Sequence, residues 1–562
     1  MIKKAILCAV ILCCTAAFVF AGGGKEEAST YELKPEISAA NSPITISVFT
    51  ETAAYARPAD NNPIVQYLKD KLNVTLTWDL LVGDIAQRAG TMIAGGIFPD
   101  ILEVRETRWI DAGALIPLEG YIDKYAPRVK AHYKDVWNKM KSPDGHHYYL
   151  VNFNVFQGTD YDPTYNQPAF WIQKAVLKDA GYPKIVTVDD YFNLIENYMK
   201  KNPTINGQPT IPFAIPISDW RSFELWNPPN FLAGNSNDGN GIVDPKTFQY
   251  KTFFQMDISK RWFKKLNELD KRGLVDRQGF TDTWDQYTAK VSSGRVLGQS
   301  IQGWQFLDNV DSVNTVQGRH IRTMAPLPVV WDAKTTPRYR TLPILNLYRG
   351  MGISVSAKDP VRIMRFLNDL LAEDVQRTLY WGIEGQHWQW KTEGGKKIPY
   401  RTVQQRTNWD NNNWQNQNRL KLLDDVFPKL QGSFSDGYPT DLTFYFPERE
   451  AMLRPEDKEL WAAYGVTNYN ELMGKKPAET GPWFPTWNMP DPPDGTPGQI
   501  ALTRMQNVMK QRLPQIILAP TSDFERLWAD YVKELDNAGV ATYEAYMQDQ
   551  LNKRLIDWGI KK

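Results

Sequence analysis

Beyond residue 14 the chain has no cysteine. Its three cysteines, Cys8, Cys13 and Cys14, all lie in one N-terminal apolar run. Past that run there is no material for disulfides, thiol nucleophiles or cysteine-ligated metals. An excess of either charge is also missing: 65 Lys and Arg face 64 Asp and Glu, for a net charge of +1. That balance argues against an electrostatic nucleic-acid binder or a polybasic membrane-surface protein. Histidine is scarce, and His132, His146, His147, His320 and His387 form no HExxH pair or other metal spacing. No GxSxG, GxGxxG or phosphate-cradling loop appears. Acidic residues are plentiful, but no spacing singles out the paired carboxylates of a glycoside hydrolase. The stretch NPTINGQP (202–209) holds no Asp or Glu, so it lacks the alternating carboxylates of a calcium loop and reads as an ordinary turn. No metal and no cofactor is therefore expected.

The N-terminus reads as an export signal. MIKK supplies positive charge, AILCAVILCCTAAFVFA an apolar run of 17 residues, and Val19-Phe20-Ala21 a small-residue cleavage site. A run of this length is marginal for spanning a bilayer. The expectation is a cleaved signal over 1–21 and a flexible tether over 22–42, starting GGGKEEAST. Ala21-Gly22 offers no cysteine for lipid attachment, and Leu12-Cys13 is a poor setting for Cys14 to serve. A free periplasmic protein is expected, although a GGGKEE tether also suits a lipid-anchored, cell-surface one.

What the chain does have is length and tryptophan. At 562 residues it exceeds one compact core, so two lobes or more are expected. Aromatic residues make up 12%, including 20 Trp, a residue rarely buried completely. The first hundred residues alternate in period. ITISVF reads as a strand. Asn62 caps a helix with Pro63 at its first position, VTLTWDLL alternates as a strand, Gly83-Asp84 opens a second helix, and FPDILEV is a third strand. Strand, helix, strand, helix, strand implies a parallel sheet with ligands beyond the carboxyl ends of its strands. That places Tyr55, Glu103, Arg105 and Trp109 near a cleft. Farther on, Thr187 and Asp190 form a capping-box pattern ahead of the stripe Val188, Tyr191, Leu194, Ile195 and Tyr198. A long Pro/Gly loop, GPWFPTWNMPDPPDGTPG, precedes three closing helices.

Several tryptophans sit in glycine- or asparagine-rich settings. Trp304 follows a glycine at the end of a strand in QSIQGWQFLDN, and RSFELWNPPN, with Trp220 just ahead of it, carries Trp226. LYWGIEGQHWQW carries Trp381, Trp388 and Trp390. Carbohydrate binding uses such residues, because indole faces cover the C–H faces of a sugar ring while polar side chains take its hydroxyls.

Four segments, in order, resemble the extracellular solute-binding proteins of bacterial sugar-uptake ABC transporters, in particular the long oligosaccharide-type members. They are the opening unit through FPDI and LIPLEGYIDKYAP, then FWIQKAVLKDAGYPKIVTVDDYFNLIENY, then VSSGRVLGQSIQGWQF, and GMGISVSAKDPVRIMRFLNDLLAEDVQRTLYWGIEG. The last third is less clearly matched. The resemblance implies an α/β, two-lobed periplasmic-binding-protein (type II) fold with the ligand between lobes joined by crossing strands. It places lobe 1 at 43–165 plus 325–395 and lobe 2 at 166–324 plus 396–562, with crossings near 165–172, near 320–328 and after about 390. It implies no catalysis, a monomer, and partners that are an oligosaccharide or other sugar and a membrane permease, with no nucleic acid. By position Trp304 matches the family's ligand-stacking aromatic, and Trp381 and Glu384 fall where long members place residues near the cleft. Tyr55, Glu103, Trp226 and Arg349 are nominated from loop position alone. Trp388 and Trp390 are expected to pack the lobe. Arg105 and Arg349 could also pair with a uronate carboxylate. Two other readings share the signal and the aromatics: a secreted polysaccharide-degrading enzyme, and a peptide- or other-solute-binding receptor on the same scaffold.

Overall fold

The computed structural model describes residues 32–52, 57–105, 107–161, 165–347 and 349–561. The expected signal, the first part of the tether and Tyr55 lie outside these residues.

The first lobe opens with β1 (Ile44–Thr50), β2 (Val74–Leu80) and β3 (Ile101–Val104), and β4 (Leu150–Val151) follows later. β2 and β3 both pair parallel to β1, with Ile44 opposite Val74 and Val48 opposite Ile101. The intervening helices span Pro63–Leu72 and Ile85–Gly95. The first starts where expected: the Asn62 side chain accepts from the Ile64 N–H at 2.9 Å, and Asn73 ends it in the left-handed conformation. The described part of the tether is held against this lobe. Lys34 donates through Nζ to the carbonyls of Val355 and Ala357, and its backbone N–H reaches the Tyr121 hydroxyl at 2.8 Å.

The second lobe is built on β5 (Pro168–Gln173), β6 (Ile211–Ala214), β7 (Val296–Gln302) and β8 (Met324–Leu327), in the order β8-β5-β7-β6. β7 runs parallel to β6 and antiparallel to β5. The helix Val188–Lys201 carries the capping box and buries Val188, Tyr191, Ile195 and Tyr198. The three closing helices, Pro497–Leu518, Phe524–Ala538 and Val540–Asp557, pack into this second core. Among the described residues, no helix is long and apolar enough to cross a membrane.

The chain then returns to the first lobe as β9 (Gly350–Ile353), antiparallel to both β3 and β4, giving the order β2-β1-β3-β9-β4. Gly350 is required there, because a Cβ would stand 2.5 Å from the Leu150 carbonyl oxygen.

Two large apolar cores define the lobes and correct the expected boundaries. Val155 belongs to the first core and Tyr165 to the second, so the first crossing lies between them. Val329, Trp331 and Tyr339 still belong to the second core, whereas Leu345 and Leu347 pack on the first. The return therefore runs through residues 340–344 rather than 320–328. Leu420, Leu423, Val426, Phe427, Phe434 and Leu442 are in the first core, and Leu453 packs on the second. The third crossing thus comes after residue 442, not soon after 390.

Candidate functional site

The parallel sheet of the first lobe brings β1 and β3 to a common edge at their carboxyl ends, and the residue before β9 joins them. Glu103 sits at this edge, fully buried. Its carboxylate accepts from the Thr50 hydroxyl, from the Glu51 N–H at 2.8 Å, from Arg105 Nε at 2.8 Å and from Arg349 Nε at 2.5 Å. Arg349 also donates to the Thr52 hydroxyl and, at 3.0 Å, to Asp425. Burial pushes the Glu103 carboxyl up, but the Arg349 and Arg105 guanidiniums and the Thr50 hydroxyl outweigh it and hold the group below the usual carboxylate value. Two sequence-nominated residues, Glu103 and Arg349, are thus in direct contact. Asp425, which no local signal marks, completes the nest. Two carboxylates face two guanidiniums, so charge within it is balanced. Side-chain exposure of 25% at Arg105 and 27% at Asp425 leaves donors and acceptors side by side at the rim, an arrangement suited to neighbouring hydroxyls.

The second lobe supplies the aromatic face. β7 ends at Gln302 and turns at once into the short helix Gly303–Phe306, whose Trp304 is 49% exposed. After β6 a turn at Asp219–Ser222 presents Trp220, 54% exposed. The two indoles lie parallel, 2° apart in plane with centroids 5.9 Å apart. Asp219 holds φ at 50°, uncommon without glycine, and accepts from Arg221 Nη1 at 2.9 and 2.7 Å. That pairing holds the Arg221 guanidinium 4.4 Å from the Trp220 ring and 4.0 Å from the Trp284 ring. Among the described residues, Trp220, Trp304 and Trp487 are the only exposed tryptophans.

Glu224 ties the two aromatic turns together. It lies on the helix Phe223–Trp226, directly after the Trp220 turn, and accepts from the Gln302 N–H at 3.0 Å and Gln305 Nε2 at 2.5 Å. Burial pushes its carboxyl up to about 8, against the pull of those two donors. A carboxyl raised on folding contributes stability fully present below its unfolded value, near 4.5, and lost as pH rises through about 8. The nearby Tyr287 does not titrate here, because burial, and after it the charge of Glu224, lifts its hydroxyl far above this window. Thermal melts from pH 5 to 9 should therefore show the wild type losing ground to Glu224→Gln as pH rises. Parallel profiles would remove Glu224 as the titrating group.

The remaining nominees are placed otherwise. Trp381 is fully buried: its ring meets Trp388 at 4.7 Å, Phe434 at 5.8 Å and Trp390 at 6.0 Å, and Nε1 donates to the Pro439 carbonyl at 3.2 Å. This corrects the expectation of a cleft-facing ring, since Trp388 and Trp390 from its own segment and residues 434–439 from a distant one together cover it. Trp388 and Trp390 pack with it, as expected of wall residues. Trp226 is likewise buried, against Phe254, and Trp109 lies fully enclosed between Phe49 and Phe98. Glu384 is exposed on the turn after Gly382. NPTINGQP forms a small hairpin, Thr204–Ile205 against Gln208–Pro209, turning at Asn206-Gly207. Among the described residues no three His, Cys, Asp or Glu side chains gather as metal ligands.

Residues 47–377 match the family described as bacterial extracellular solute-binding protein. A curated relative, the fructooligosaccharide ABC transporter substrate-binding protein FusA of Streptococcus pneumoniae, is 27% identical over 300 residues, covering 50% of this chain and 54% of that protein. The chain thus spans about half the length of the curated relative it matches. Among solved structures, the HMO-binding, ABC-transporter-associated solute-binding protein of Bifidobacterium longum infantis superposes with a TM-score of 0.64 at 19% identity, covering 93% of this chain and 100% of that one. FusA in complex with kestose gives 0.61 at 17% identity over 92% and 100%, and alginate-binding AlgQ2 without calcium ion gives 0.60 at 16% over 91% and 98%. At these identities the likeness concerns the two-lobed fold.

Proposed function

The chain belongs to the bacterial extracellular solute-binding protein family, and from that premise we propose that it captures an oligosaccharide between its lobes and delivers it to the membrane permease of an ABC importer. The observation that carries this reading is the exposed parallel pair Trp220 and Trp304 at the strand ends of the second lobe. Solvent-facing indoles held parallel by a buried brace present flat apolar faces that suit the C–H faces of sugar rings. The polar nest around Glu103 and Arg349 on the first lobe supplies the hydrogen-bonding partner surface, and closure of the lobes brings the two together. The protein acts as an exported monomer and performs no chemistry on its ligand. Because Arg105 and Arg349 are already matched by Glu103 and Asp425, the ligand is a neutral glycan rather than a uronate.

A thermal-shift screen tests this, and the glycan need not be identified beforehand. Binding to the folded state alone adds about 2.7 kcal/mol at a hundredfold excess over Kd, enough to move the melting temperature measurably. The mature chain should respond to a neutral glycan from a panel of fructo-oligosaccharides, milk oligosaccharides, N-glycans and alginate oligomers. A response confined to alginate would overturn the neutral assignment. A response confined to peptides would overturn the carbohydrate reading.

A further inference from the structure

Trp487, 38% exposed, stands apart from the pair just described. It lies in GPWFPTWNMPDPPDG (481–495), a composition that ordinarily gives a pliable loop. Here two charged side chains fix it. Asp238 accepts from Trp483 Nε1 at 3.0 Å and from the Thr486 N–H at 2.5 Å. Arg554, buried on the last helix, donates to the carbonyls of Trp483 at 3.0 Å, Pro485 at 2.5 Å and Asn488 at 2.9 Å. Gly239 completes the mount: it holds φ at +86°, and a Cβ there would stand 3.0 Å from the Trp487 Cβ. An exposed indole held this firmly has a fixed place to present.

That place adjoins the lobe crossing. Asn488 Nδ2 donates to the Leu345 carbonyl at 2.8 Å, and Leu345 packs on the first lobe. Arg349, which holds Glu103 in the polar nest, follows four residues later. Four residues of extended chain reach at most about 14 Å. Trp487 is therefore anchored in the second core through Trp483 and Met489, yet its neighbour Asn488 bonds the segment that leads to the polar nest of the first lobe.

We propose that Trp487 forms a further saccharide subsite beside the lobe crossing, stacking on a sugar ring that only longer oligosaccharides supply. This rests on the carbohydrate reading above and makes the site one that measures ligand length. An indole face takes the C–H face of a sugar irrespective of its hydroxyl pattern, so the subsite selects for chain length more than for sugar identity.

The test uses the tri-, tetra- and pentasaccharides of the one glycan class that raises the melting temperature of the wild-type chain. Calorimetric titration of Trp487→Ala should leave the trisaccharide Kd within about twofold and weaken the longest glycan by about tenfold, the worth of one stacked ring. Trp487→Phe should recover part of that loss, and Gly239→Ala, which crowds the mount, should reproduce it. A variant that follows the wild type at every length overturns the subsite while leaving the carbohydrate reading intact. Equal loss at all three lengths overturns the length assignment, because the ring would then belong to the shared site. A wild-type chain that binds no glycan in the panel overturns both.

Discussion

Trp304→Ala weakens oligosaccharide binding by about 1–3 kcal/mol, roughly five- to 150-fold in Kd, while the melting temperature of the unliganded protein stays close to that of the wild type. The separation of the two effects follows from position. Trp304 is half exposed, so its truncation removes little from the core, yet its ring is one of two that lie parallel at the strand ends. Trp220→Ala should act in the same direction. The double variant should lose less than the sum of the singles, because each indole helps to set the other and contacting residues are not additive. Calorimetry on the two singles and the double checks this. An unchanged Kd for Trp304→Ala would remove the aromatic platform, and with it the main support for a sugar ligand.

Arg349→Met destabilises the protein by about 3 kcal/mol, the low end for removing one partner of a buried ion pair, since Arg105 still compensates Glu103 in part. The double variant Arg349→Met with Glu103→Gln should recover much of the loss, because it no longer leaves a buried charge without its main partner. The pH dependence has a definite sign. Glu103 is held below its unfolded value, so its contribution is present above that value, near 4.5, and lost as pH falls through the folded one. Acid denaturation should accordingly start at higher pH in the wild type than in the double variant relative to their neutral stabilities. Arg349→Met should also weaken glycan binding, because Asp425 and Thr52 lose the donor that positions them. Denaturant melts at pH 7 and pH 4 measure the stability effects, and calorimetry measures the binding. No destabilisation in Arg349→Met would mean that the nest is solvated rather than a built-in feature of the lobe.

Local chemistry in the sequence marks the opening β-α-β unit because each step has its own signal. Asn62 and Pro63 start the first helix, Asn73 ends it, and the alternation from Val74 marks the next strand. Thr187 and Asp190 do the same for the helix at 188–201. Trp304 is legible for a similar reason, as a large ring placed one residue after a strand and a glycine. Trp381 is not, because part of what encloses it is far away in the chain: besides the nearby Trp388 and Trp390, Phe434 packs on the ring, and Pro439, which accepts its N–H, is 58 positions distant. A helix-ending tryptophan looks the same locally whether it meets a cleft or a core. The third crossing is hidden on the same account. Residues 420–442 pack on the first lobe through scattered apolar side chains whose periodicity points to no particular partner. The nest depends on chain separation as well, since Arg349 and Glu103 are 246 positions apart and Asp425 is a further 76 from Arg349. Trp220 reads as a loop tryptophan, but its alignment with Trp304 depends on Glu224 bridging two turns some 80 positions apart.

Capture without turnover is tested most directly by native mass spectrometry of the mature chain incubated with a mixture of neutral oligosaccharides. The predicted result is one glycan bound per protein, at the intact mass of the glycan supplied, with that mass unchanged after prolonged incubation. Shortened saccharides accumulating in the mixture, or no adduct with any glycan that the screen contains, would contradict it.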